Sequence, residues 1–238
     1  METKGASALV TGASRGIGRA IALALAREGA SVTVVGRHPA TLDAVVKEIE
    51  GAGGRARAFA GDVRDASTCQ GAVDSVVAAF GGLQILVNNA GVGAFAPLAE
   101  TTDESWEAVI GTNLSAPFRL TRAALPHLAK SGGQVFMVSS LAGTNPIANM
   151  AAYCASKAAL DHLSACLMLE VRHLGVKVTV IAPGSVDTSF AGSPRGADAS
   201  WMLQSEDVAQ AVLDLLRVRD GAHLSRVDMR PARPQKRV

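Results

Sequence analysis

The stretch Ala6-Ser7-Ala8-Leu9-Val10-Thr11-Gly12-Ala13-Ser14-Arg15-Gly16-Ile17-Gly18 decides the fold. Its first half is a short, nearly apolar run of the kind found in strands covered on both faces. Its second half is made of small residues and opens a segment of helical period, Gly16–Glu28. Glycines at such a strand-to-helix turn let the backbone come close to a pyrophosphate, whose charge the helix N-terminus favours. Glycines also recur by chance at ordinary turns. Their place directly after the first strand points to dinucleotide binding, with Gly12, Ser14, Arg15, Gly16, Ile17 and Gly18 as the contacting residues. The spacing is GxxxGxG, not the commoner GxGxxG.

Outward from this loop, short apolar runs alternate with longer helical patterns. Ala6–Thr11, Ser31–Gly36, Arg55–Ala60, Gln84–Asn88, Gln134–Ser139, Lys177–Ala182 and His223–Met229 read as strands. Gly16–Glu28, Pro39–Ala52, Ala66–Phe80, Asn113–Lys130, Ala151–Leu174 and Glu206–Val218 read as helices, the last with Ser205 as its N-cap. This alternation predicts an α/β fold: one doubly wound Rossmann-type domain over residues 1–238, with a mostly parallel seven-stranded sheet flanked by helices. No linker, repeat or low-complexity stretch divides it.

Composition narrows the class. With 48% hydrophobic and 18% charged residues, the chain can bury a sizeable core and is not a disordered one. A formal charge of +2, from 23 basic against 21 acidic residues, gives no reason to expect nucleic acid or an anionic membrane as partner. The one dense basic cluster (Arg226, Arg230, Arg233, Lys236, Arg237) has no aromatic partner for bases and reads as a solvated tail. Cys69, Cys154 and Cys166 lack metal-type spacing and read as reduced thiols; no HExxH pair supports a metal site. No apolar run approaches the roughly 18 residues of a membrane span, and Met1–Gly5 is too short for a targeting segment, so a cytoplasmic location is expected.

Two further places carry chemistry. The second strand ends Val34-Val35-Gly36-Arg37-His38, with no Asp or Glu where a carboxylate would bind ribose hydroxyls and repel a 2′-phosphate. Arg37 can pair with such a phosphate and Arg15 can approach it from the glycine loop, which favours NADP(H). The single tyrosine lies in Tyr153-Cys154-Ala155-Ser156-Lys157, an i,i+4 pair on one helix face. A phenol titrates near 10 and is a poor acid–base group at neutral pH; an adjacent ammonium would favour the phenolate. A packed tyrosine with a lysine one turn along fits the same spacing.

Together these residues resemble the short-chain dehydrogenase/reductase family over nearly the whole chain. Thr11–Gly18 is similar to its TGxxxGxG loop, Asn89-Ala90-Gly91 to its Asn-Ala-Gly segment, and Tyr153 with Lys157 to its YxxxK pair. Ser140, thirteen residues before Tyr153, takes the place of the family serine in preference to Ser139. Pro183-Gly184-Ser185-Val186-Asp187-Thr188 is similar to the PGxxxT segment beside the nicotinamide, and Asp62-Val63 to the adenine-side pair. The resemblance implies that hydride passes from NADPH to a ketone or aldehyde carbon while Tyr153 protonates the alkoxide. It implies that Ser140 polarises the carbonyl and that Lys157 binds the nicotinamide ribose and lowers the Tyr153 pKa. Asn113 would anchor a water linking Lys157 to solvent; separately, it suits the N-cap of the helix it begins. The resemblance also implies a homo-oligomer, tetramer or dimer, built on the helices Asn113–Lys130 and Ala151–Leu174.

The ending Leu224-Ser225-Arg226-Val227-Asp228-Met229-Arg230-Pro231 departs from the Val-Asp-Gly-Gly stretch of acyl-carrier reductases. It resembles the branch that reduces small carbonyls and hydroxy-acid precursors. Substrate shape is expected to be set between Thr188 and Trp201, where Arg195 is a candidate for an anionic substrate and also a simple loop charge. Phe95, Leu141, Met150, Phe190 and Trp201 are candidates for an apolar pocket, though each one by itself reads more readily as core. Two alternatives to a small-carbonyl reductase stay open: a 3-oxoacyl thioester reductase, and a non-catalytic NADP(H)-sensing protein.

Overall fold

A computed structural model of the chain describes residues 1–188, 190 and 199–233. The strands are β1 (Ser7–Thr11), β2 (Ser31–Gly36), β3 (Arg55–Ala60), β4 (Ile85–Asn88), β5 (Gln134–Val138), β6 (Lys177–Pro183) and β7 (Arg226–Met229). They form one sheet in the order β3-β2-β1-β4-β5-β6-β7, and every neighbouring pair is parallel. The helices are α1 (Gly16–Arg27), α2 (Pro39–Gly51), α3 (Ala66–Phe80), α4 (Asp103–Ile110), α5 (Ala116–Ser131), α6 (Ala151–Val171) and α7 (Ser205–Leu216).

The apolar runs follow from this layering. Successive strand residues point to opposite faces, and here both faces are covered. Ala8, Val10, Val32, Val34, Ile85, Val87 and Phe136 pack with α1, α2 and α7. Leu9, Val35, Leu86, Val135, Met137 and Val178 pack with α3, α5 and α6 on the other side. A strand buried on both sides has no polar face to alternate with.

Strand order reverses between β1 and β4, each of which sends its chain to an opposite face of the sheet. Such a switch point opens a crevice at the carboxyl ends of the strands. The loops after β1, β4, β5 and β6 all meet there.

Three local expectations are corrected. No helix is expected between Phe80 and Asn113, yet α4 begins at Asp103, capped by Thr102, whose side chain accepts from Ser105 N at 3.2 Å. Asn113 is not an N-cap: it lies in a wider, π-type turn, Gly111–Ser115, through which α4 runs on into α5. Ser205 is the first residue inside α7, not its cap; Gln204 caps it, and Gln204 N donates to Asp207 Oδ2 at 2.7 Å. A longer side chain one residue earlier reaches the same orphan N–H groups.

Candidate active site

The cleft at the switch point has a volume of about 1270 Å³ and is bordered at one end by the glycine loop and at the other by Ser140, Tyr153 and Lys157. The loop is built to exclude side chains. Gly12 has φ +64°, and a Cβ there would lie 2.9 Å from Ala90 Cα; a Cβ on Gly18 would lie 2.4 Å from both Gly12 O and Asn89 Nδ2. Asn89 Nδ2 donates to Thr11 O at 2.8 Å, and Thr11 Oγ1 accepts from Asn89 N and Ala90 N, both at 3.0 Å. The Asn89-Ala90-Gly91 segment thus locks the loop from behind and leaves its front, at the α1 N-terminus, facing the cleft. Ser14, Arg15, Gly16 and Ile17 border that front. A glycine loop held this close at a helix N-terminus fits a dinucleotide pyrophosphate.

At the far end of the loop Arg15 and Arg37 are exposed on the cleft wall beside Gly36, and no carboxylate occupies the end of β2. Asp62 and Val63 border the cleft as well. The Asp62 carboxylate is engaged by Arg64, which donates from Nη2 at 2.7 Å and from Nε to both oxygens at 3.0 and 3.1 Å. These bonds hold its pKa below the usual carboxylate value. Arg64, which the sequence reading passes over, is therefore a third cation at this end; its one signal in sequence is a position two residues after Asp62.

At the opposite end, α6 carries Tyr153 and Lys157 on one face. Lys157 Nζ donates to Val138 O at 2.8 Å, and lies 5.8 Å from the centre of the Tyr153 ring. Burial pulls the Lys157 pKa down to about 8, partly opposed by the charge of Asp161. Tyr153 faces the Ser140 side chain across the cleft wall, and its ring tilts against Phe190 with centres 5.5 Å apart. Burial pushes the phenol up; the Ser140 side chain acts the other way. Burial is the largest cause of the shift in both groups. Ser139, by contrast, is buried with an unpartnered hydroxyl.

Asn113, fully buried, accepts from Val92 N and donates to Val92 O, both at 2.9 Å, and donates to Ser156 Oγ at 3.0 Å. Its amide fastens the loop after β4 to α6. Gly91 lies between them, where a Cβ would be 3.5 Å from Asn113 Oδ1 and 3.8 Å from Lys157 Nζ. Pro183, Gly184, Val186 and Thr188 form the wall after β6. Asp187 N donates to Leu203 O at 2.8 Å, and Leu203 N to Ser185 O at 3.0 Å, which pins that wall. Thr188 Cγ2 would meet a Cβ on Gly16 at 3.4 Å, so that wall and the glycine loop approach each other there.

Phe95, Leu141, Met150, Phe190 and Trp201 all border the cleft; Phe95 is 51% exposed and is no core residue. Arg230 and Pro231 border it too, which corrects the reading of the basic tail as wholly solvated. Pairing of Pro183 with Met229 carries the chain after β7 past Gly184 and into the cleft wall. Arg195, Lys236 and Arg237 lie outside the described residues. Among the described residues no cluster of His, Cys, Asp or Glu could hold a metal ion, and no helix is long and apolar enough to cross a membrane.

Residues 6–198 match the family model described as short chain dehydrogenase. An uncharacterized oxidoreductase of Methylorubrum extorquens is 38% identical, over 88% of this chain and 84% of its own. A D-threitol dehydrogenase of Mycolicibacterium smegmatis is 38% identical, over 81% of this chain and 76% of its own. The crystal structure of a metagenomic short-chain oxidoreductase in complex with NADP superposes with a TM-score of 0.86 at 38% identity, covering 98% of this chain and 100% of that one.

Proposed function

The chain belongs to the short-chain dehydrogenase family of oxidoreductases, and from that membership we propose that it interconverts a ketone or aldehyde with its alcohol, using NADP(H). The observation that carries this reading is the meeting of Ser140 and the Tyr153 phenol on the cleft wall, with the buried amine of Lys157 one turn along the same helix. A bound nicotinamide supplies or accepts the hydride.

The residues then divide the remaining work. Ser140 donates to the carbonyl oxygen and polarises it, and Tyr153 gives its proton to the oxygen as charge develops there. Lys157, still charged at neutral pH, holds the nicotinamide ribose and places a positive charge behind the phenol. Asn113 acts at one remove, by tying the Val92 backbone to α6. The glycine loop takes the pyrophosphate. Arg37 and Arg15, with no carboxylate at Gly36, favour a 2′-phosphate and hence NADP(H) over NAD(H). Self-association through the long helices belongs to the same reading; exposed Phe118 on α5 and Leu169 on α6 support it.

The test is a panel of ketones, aldehydes and acyl thioesters, each followed by NADPH absorbance. Turnover of ketones or aldehydes is expected. Turnover confined to thioesters would favour the acyl reductase, and tight NADPH binding without any turnover would favour the cofactor-sensing protein.

A further inference from the structure

Arg226, the first residue of β7, donates from Nη1 to Asp161 Oδ2 at 2.7 Å and from Nε to Asp228 Oδ1 at 2.8 Å. Asp161 stands one turn beyond Lys157 on α6, with its side chain only 13% exposed. The oxygen that receives Arg226 also faces the turn Leu141–Gly143. A Cβ on Gly143 would lie 2.7 Å from Asp161 Oδ2 and 3.2 Å from the carbonyl carbon and oxygen of Lys157. The turn therefore rests backbone-first on α6, in a seat whose floor is the Lys157 carbonyl and whose wall is the Asp161 carboxylate.

That turn begins at Ser140. Ser140 O accepts from Gly143 N at 3.0 Å, and Ser140 Oγ accepts from Ala142 N at 3.1 Å, so the seat of Gly143 sets the direction of the hydroxyl that faces Tyr153. The pair itself is a poor stabiliser. Asp161 Oδ1 and Arg226 Nη2 are both buried without a partner, and unsatisfied buried groups offset what an ion pair gains. What a short, charge-assisted bond between two elements does well is fix their relative position.

We infer that Asp161, held by Arg226, is a positioning residue that sets the Ser140 hydroxyl against the Tyr153 phenol, so that the C-terminal strand governs the geometry of the reaction centre. This rests on the roles proposed above for Ser140 and Tyr153, but its test needs no turnover. The charged groups that face Asp161 are Lys157 on its own helix and Arg226 on β7, and its negative charge also favours the Lys157 ammonium.

Because Tyr153 is the only tyrosine, the full chain labelled with [13Cζ]tyrosine gives one resonance that reports the hydrogen bonding of this phenol. Ser140→Ala is expected to move it. Asp161→Asn, which keeps the side-chain volume, is expected to move it in the same direction, and to move it no further when added to Ser140→Ala. Gly143→Ala forces the same contact apart without removing a charge and is expected to act alike; it decides the matter if Asp161→Asn does not fold. An unmoved resonance in a folded Asp161→Asn or Gly143→Ala protein overturns the inference. So does an Asp161→Asn shift that persists undiminished in the Ser140→Ala background, which would show a direct field effect. Failure of the wild type to reduce any carbonyl would instead strike the proposed function and leave this result standing.

Discussion

Lys157 Nζ stands 5.8 Å from the centre of the Tyr153 ring, and burial moves the two groups in opposite senses. The amine falls to about 8 while the phenol rises above its ordinary value of 10, so on raising the pH the lysine is discharged first. In the ligand-free protein there is no ammonium left to favour the phenolate at the pH where the phenol ionises. Above about pH 8 help of that kind comes from the Ser140 side chain; below it the Lys157 ammonium is still present.

Replacing Lys157 by Met follows from this order. Between pH 8 and the unfolded lysine value near 10.5 the unfolded chain binds the extra proton, so wild-type stability rises with pH across that window. The lowering corresponds to about 3 kcal/mol at most for a fully buried amine. Lys157→Met is expected to lack that rise, as measured by urea denaturation at pH 7.5, 8.5 and 9.5. A parallel pH dependence in both proteins would show that the amine keeps its proton when folded.

Tyr153→Phe is expected to lower kcat by at least about 10²-fold on the best carbonyl of the panel, the lower bound for loss of general acid–base catalysis. The ring contact with Phe190 survives the change, so NADPH affinity measured by fluorescence titration is expected to stay within about twofold, since the substitution conserves shape. Residual turnover near the wild-type rate would move proton transfer to another group.

Arg37→Asp places an anion on the cleft wall where the cation of Arg37 now stands beside Asp62. The NADPH-over-NADH preference is expected to fall by at least about tenfold or to invert, because one charge-assisted contact is exchanged for a repulsion. Isothermal titration with both cofactors reads it out. Equal wild-type affinity for the two would remove the basis of the prediction.

Asn113→Ala leaves Val92 N and O without side-chain partners in the loop after β4 and removes a bond to Ser156 Oγ. A stability loss of about 1–3 kcal/mol is expected, the usual penalty for stranding buried polar groups. Weaker NADPH binding should accompany it, since Gly91 sits between Asn113 and Lys157. A urea midpoint unchanged from wild type would mean that water replaces the amide.

What the sequence determined by itself was everything with a local period or a local steric demand. The strands stood out because burial on both faces leaves apolar runs such as Ile85–Val87, and the glycine loop because only glycine fits at Gly12 and Gly18. The Tyr153–Lys157 pairing follows from helical spacing alone. The helix α4 escaped notice because it is eight residues long with Val109 as its one buried position, too little for a stripe to show. The tertiary structure alone decided the rest. It put β1 beside β4, which makes the crevice, and it brought Arg230 and Pro231 to the cleft by pairing β7 with β6. It also turned Asn113 inward within a π-type turn, and set the proton order of Lys157 and Tyr153 through burial. Strand order, cross-chain contacts and desolvation depend on residues far apart in the chain, and no window of neighbouring residues contains them.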